Sequence, residues 1–137
     1  MKIKLLFALI LLATGCISVN KSILTSNPTG QIFPEVDVYV YFETDSIPRH
    51  TRVAILTGKG DDDFTNEGQM IDKLREEAGK LGANAIILMG IKDPNLGEKV
   101  ASQIFGISSD RKGQAIAIYV PSLIKDRAEE RTKISKD

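Results

Sequence analysis

Apolar and polar positions along the chain change period several times, and each change marks an element. Val36, Val38, Val40 and Phe42 alternate with Asp37, Tyr39, Tyr41 and Glu43. That period of two predicts a half-buried strand. Ile47-Pro48 and its polar neighbours turn the chain over Thr44–Arg52. Val53–Thr57 reads as a second, shorter strand ending in Gly58-Lys59-Gly60, followed by Asp61-Asp62-Asp63 in an exposed loop. From Asn66 to Leu81 the period becomes 3.6, with Met70, Ile71, Leu74, Ala78 and Leu81 on one stripe and Asp72, Glu76 and Gly79 opposite. Asn66 with Gln69 forms a capping pair, Gly82 is a left-handed stop, and Glu76 with Lys80 is a favourable i, i+4 pair.

Ala85–Met89 is short and continuously apolar, as suits a strand buried on both faces. Asp93-Pro94-Asn95 breaks the chain. In the long Leu96–Gly113 segment, Ile104, Phe105 and Ile107 stand among glycines and serines. Gln114–Val120 alternates again, with Ile116, Ile118 and Val120 on one face, until Pro121 ends it. The charged tail carries a weak Leu123-Ile124-Arg127-Ala128 pattern. The order β-β-α-β-β predicts an α+β fold: a small two-layer domain of about four strands with one amphipathic helix on the sheet.

The N-terminus follows a different logic. Met1-Lys2-Ile3-Lys4 is a short positive start, and Leu5–Ala13 is an unbroken run of nine apolar residues. Crossing the hydrocarbon takes roughly 20 apolar residues, so the run suits a cleaved secretion signal rather than a spanning helix. Ala13-Thr14-Gly15-Cys16 resembles the bacterial lipoprotein lipobox, with Ala13 where leucine is usual and Leu12 one place further out. The resemblance implies that residues 1–15 are removed and that Cys16 is acylated on sulfur and on its new amine. Several acyl chains, at about 0.8 kcal/mol per buried CH₂, anchor a protein stably where one does not. The same reading consumes the sulfur and excludes Cys16 as a nucleophile.

Residues 16–35 read as the lipidated N-terminus and a flexible tether rich in Ser, Thr, Asn, Gly and Pro. As coil, the nineteen residues Ile17–Glu35 would span about 25 Å. Residues 36–120 form the domain and 121–137 a charged tail. The resemblance also makes Ile17 informative: an aspartate in that place commonly retains enterobacterial lipoproteins on the inner membrane. In a two-membrane host the expected location is therefore the outer membrane, facing the periplasm.

Composition narrows the function classes. The 137 residues carry 18 basic and 18 acidic side chains, and removing the leader with its two lysines leaves a net charge of −2. No net basic footprint serves nucleic acid. One cysteine and one histidine exclude a disulfide framework and an ordinary Cys/His zinc site. Three consecutive aspartates do not follow the spaced calcium-loop pattern and read as a solvated loop. His50 sits in a turn beside Arg49 and Arg52 with no acid or nucleophile near it in sequence. No catalytic residue, metal or cofactor is expected.

Leu74–Leu88, LREEAGKLGANAIIL, resembles the "LGANA" helix-to-strand segment of small bacterial families of the YbjQ and RcsF-like types. The resemblance spans roughly Val36–Val120 and implies a short sheet whose helix enters a central strand. The disulfides on which RcsF-like proteins depend have no counterpart here. Within the motif, Gly82, Ala83 and Asn84 read as a structural junction in which small residues let the chain reverse into the buried strand. The expectation is a lipid-anchored envelope lipoprotein, a non-catalytic binding or sensor-type module. Its partners would be the membrane, through the lipid, and an envelope protein contacted through Ile104, Phe105 and Ile107. The alternative is a self-associating structural envelope lipoprotein, since a one-helix sheet leaves a face and two edges to cover.

Overall fold

The alternating segments pair into one mixed sheet in the computed structural model, which describes residues 16–61, 65–92 and 110–136. Its strands are β1 (Ser18–Ile23), β2 (Tyr39–Phe42), β3 (Thr51–Asp61), β4 (Ala85–Lys92) and β5 (Asp110–Tyr119). Helix α1 (Glu67–Lys80) connects β3 to β4, and α2 (Pro121–Ile134) follows β5. The spatial order is β1-β3-β5-β4-β2, antiparallel except for the parallel β2–β4 pair. The fold is α+β, with five strands and two helices among the described residues where the local pattern predicts four and one.

Helix α1 starts where its cap dictates. The Asn66 side chain accepts from the Gln69 N–H at 2.8 Å, and the Gln69 side chain accepts from the Asn66 N–H at 2.9 Å. This capping box satisfies two donors that the first turn would leave unpaired. The helix ends at Gly82, whose φ of +85° disfavours any residue with a Cβ. Met70, Leu74 and Ala78 are completely buried against Ala54, Leu56, Ile86, Leu88, Ala115 and Ala117 on the inner face of the sheet. The close approach depends on a glycine pair. Gly58 and Gly113 lie opposite each other across β3 and β5, and Cβ atoms there would stand 2.5 Å from Met70 Sδ and 2.7 Å from Met70 Cγ. Two absent side chains make the seat for one methionine.

Strand β1 corrects the expected tether at residues 16–35. Its six residues pair antiparallel with β3, from Ser18 opposite Lys59 to Ile23 opposite Ala54. Ile17 and Val19 pack against the inner core. Lys21 occupies the next position on that side, and its ammonium pairs with the Glu77 carboxylate of α1. A lysine at a core-facing position hides the alternation. Gly79 is a second correction: it is buried, not solvent-facing, because the Phe33 N–H donates to its carbonyl at 3.0 Å. Segment 33–38 covers that flank of α1, a contact distant in sequence. The charged tail is likewise helical, with Pro121 at the first turn, where its missing N–H costs nothing.

The outer face carries a second, smaller cluster: Tyr41, Ala85, Ile87, Ile118 and Val120, with Ile47, Ile116 and Leu123 against it. Register aligns Ile55, Ile116, Ile87 and Tyr41 in one row across β3, β5, β4 and β2. Tyr39 packs on Tyr41 with ring centroids 4.8 Å apart. Leu123 brings α2 onto one end of this face, leaving Ile55 and Met89 partly exposed.

Candidate functional site

The candidate residues fall into three places, and the sheet determines which of them meet. Cys16 is an exposed free thiol one residue before Ile17 and two before β1. It borders a shallow depression on the α1 side, shared with Ile17, Glu35, Asp72, Lys73 and Glu76. Those carboxylates are matched by cations. Arg75 pairs with Glu35 at 3.1 Å and with Asp72 at 3.5 Å, and Glu76 takes Lys73 at 3.1 Å and Lys80 at 2.9 Å. Hydrogen bonds from Lys80 and Lys73 hold the Glu76 carboxyl below its ordinary range.

Glu77 is the most perturbed acid of the helix. Burial alone would raise it, but hydrogen bonds from Lys21 and Lys80 outweigh burial and bring it down to about 2. Lys73 approaches the same carboxylate at 3.4 Å. Three ammonium groups surround one buried acid, so it is ionised at neutral pH and serves as a joint, not a proton carrier.

Gly82, Ala83 and Asn84 come together as the turn from α1 into β4. The Ala83 N–H donates to the Ala78 carbonyl at 3.1 Å. Asn84 is buried, and its amide pairs with both backbone groups of one residue: Nδ2 donates to the Val120 carbonyl at 2.9 Å, and Oδ1 accepts from the Val120 N–H at 2.7 Å. Its own carbonyl accepts from the Tyr39 N–H at 3.0 Å. One asparagine thus ties together the start of β4, the end of β5 and the start of β2.

Ile104, Phe105 and Ile107, the expected partner contacts, lie outside the described residues, as do Asp62 and Asp63. Residues 110–113 of the expected loop belong to β5. His50 Nδ1 meets the Pro48 carbonyl at 2.8 Å. Among the described residues no three of His, Cys, Asp and Glu gather where they could hold a metal ion, and no helix is long and apolar enough to cross a membrane.

The structure adds a site. Between α2 and the segment 31–37 lies a cleft of about 380 Å³, with Ile32, Phe33, Leu123 and Ile124 on its walls and Arg127 and Arg131 at its side. Arg127 closes one end: its guanidinium pairs with the Asp37 carboxylate at 3.2 Å and donates to the Asp37 carbonyl. Arg131 has no ion-pair partner among the described residues. Leu123, Ile124, Arg127, Ala128 and Arg131 recur at i, i+1, i+4, i+5 and i+8, one face of a helix. The weak tail pattern contains four of these five residues. Its partner, segment 31–37, has no period that could announce a wall. No family model matches the chain, and no match emerges among curated proteins or solved structures.

Proposed function

We propose that this chain is a lipid-anchored cell-envelope lipoprotein whose domain is a non-catalytic binding module. The observation that carries the reading is the sole cysteine, placed after a positively started leader whose nine-residue apolar run is followed by Thr14-Gly15. Exposure of Cys16 outside the sheet supports it, since acylation there displaces no core residue. Cleavage after Gly15 and acylation of Cys16 leave the fold to recognise another envelope component. The cleft along α2 has the mixture of apolar wall and few cationic groups that binding sites use. In a two-membrane host, Ile17 favours the outer membrane, with the domain facing the periplasm.

The test is replacement of the cysteine. Cys16→Ser should block processing, abolish labelling by a palmitate analogue and release the protein from membranes. Unchanged labelling and membrane retention would overturn the anchor. Self-association is the second reading, favoured by the partly open row of Ile55, Ile116 and Ile87 on the outer face. A concentration-independent monomer in size-exclusion chromatography would dismiss it.

A further inference from the structure

We propose that the bilayer surface is contacted by one defined end of the sheet: the lip where β1 and β5 begin and β3 and β4 end. This rests on the acylation of Cys16. Only Ile17 separates Cys16 from Ser18, the first residue of the ladder with β3. Two residue steps reach about 7 Å at most. Ile17 is no free link either, because it packs against the inner core. Six paired residues then hold β1 to β3, and Lys21 is tied to Glu77 of α1. The anchor is joined to the rigid body of the domain.

Charge selects the surface turned to the lipid. Ser18, Lys59, Lys112 and Lys92 occupy one register row across β1, β3, β5 and β4. Lys59 and Lys112 are exposed, face each other across two strands and have no ion-pair partner among the described residues. Like charges placed directly opposite destabilise a sheet, and phosphate groups of lipid headgroups relieve that repulsion. Past the row of Gly60 opposite Arg111, Asp61 stands opposite Asp110. Carrying both signs, the lip suits the headgroup layer and not the hydrocarbon. The acids on the α1 side of Cys16 are matched by cations of the helix itself and offer phosphate nothing.

The opposite end is thereby turned away from the membrane. Seven residue steps along β3 separate Lys59 from Arg52, which pairs with Ile118 beside the start of β4, a rise of about 23 Å. Asn84, immediately before β4, lines the cleft. Asn84 therefore puts the cleft at the end of the sheet away from the membrane, within reach of a soluble or facing partner.

Acylated full-length protein purified from membranes tests this after reconstitution in phosphatidylcholine–phosphatidylglycerol vesicles containing a headgroup-nitroxide lipid. Acylation consumes the Cys16 sulfur, so an introduced cysteine is the only thiol for a fluorophore. Lys59→Cys and Lys112→Cys mark the lip, and each serves if the other does not fold. Lys125→Cys marks α2 beside Thr51, at the far end. Severalfold quenching at both lip positions with little at position 125 is expected. Equal quenching at all three positions, or strongest quenching at 125, on protein whose mass includes the acyl chains overturns the orientation and leaves the anchor standing. Protein without acyl mass overturns both.

Discussion

Lys21 of the edge strand and Glu77 of α1 form an ion pair beneath the end of the inner core, at the one place where β1 meets the helix through charge. Lys80 joins them at 3.1 Å, and the Glu77 side chain is about nine-tenths buried. The pair ties the polar edge strand, already laddered to β3, to the helix.

The first prediction concerns acid. Glu77 is held at about 2, below its ordinary value of 4.5. A depressed carboxyl stabilises the fold fully above the unfolded value and loses that contribution as pH falls through the folded one. The window is therefore pH 4.5 down to about 2. The shift corresponds to about 3 kcal/mol at neutral pH. Urea unfolding across this window should show the loss, and Glu77→Gln should remove most of it. The depressed Glu76 leaves a smaller remainder of the same sign. A variant with the same pH slope as the parent would show that Glu77 does not couple β1 to α1.

Much of the fold is legible because its signals are local. The capping box at Asn66 and Gln69, the stop at Gly82 and the Glu76–Lys80 pair each lie within a few residues, and the structure contains all three. What escapes is non-local. Lys21 breaks the alternation of β1 because its partner is 56 positions away on α1. Gly79 falls on the polar side of a one-stripe helix because segment 33–38 supplies a second buried flank. The cleft has one wall with helical spacing and one without any period, so sequence shows half of it at most.

Asn84 is the second test, because its amide satisfies both backbone groups of Val120. Asn84→Ala leaves a buried N–H and a buried carbonyl without partners, at a cost of about 2–4 kcal/mol. Asn84→Asp should cost more, since a carboxylate cannot donate to the Val120 carbonyl and would be buried without a cation. Denaturant midpoints measure both. A loss under about 0.5 kcal/mol for Asn84→Ala would show that water replaces the amide.

The glycine seat of Met70 gives a third, with an internal control. A methyl group at position 113 would meet Met70 Cγ at 2.7 Å, close to the helix backbone where the side chain cannot swing aside. Gly113→Ala should therefore destabilise by about 1–3 kcal/mol, as overpacking does. Met70→Ala alone should cost about 2–5 kcal/mol for its cavity. Combined, the two should cost less than their sum, because each relieves the other's fault. Strict additivity in a double-mutant cycle would place the pair out of contact.

The last prediction concerns α2, which forms one wall of the cleft. Its N-cap residue Val120 offers no side-chain hydrogen bond, and none of its residues is fully buried. Leu123 against the outer cluster and Arg127 against Asp37 hold it in place. An ion pair as exposed as Arg127–Asp37 contributes about 0.2–1 kcal/mol, so the helix belongs to the least stable part of the domain. Amides of α2 should exchange with deuterium well before those of β3, β4 and β5. Arg127→Ala should quicken exchange in α2 and around Asp37 while moving the global unfolding midpoint very little. Leu123→Ala should do both, because it also opens the outer cluster. Protection in α2 equal to that of the central strands would mean the helix unfolds only with the whole domain. The cleft would then be a permanent feature of the core fold, and its two ends could not open independently of the sheet.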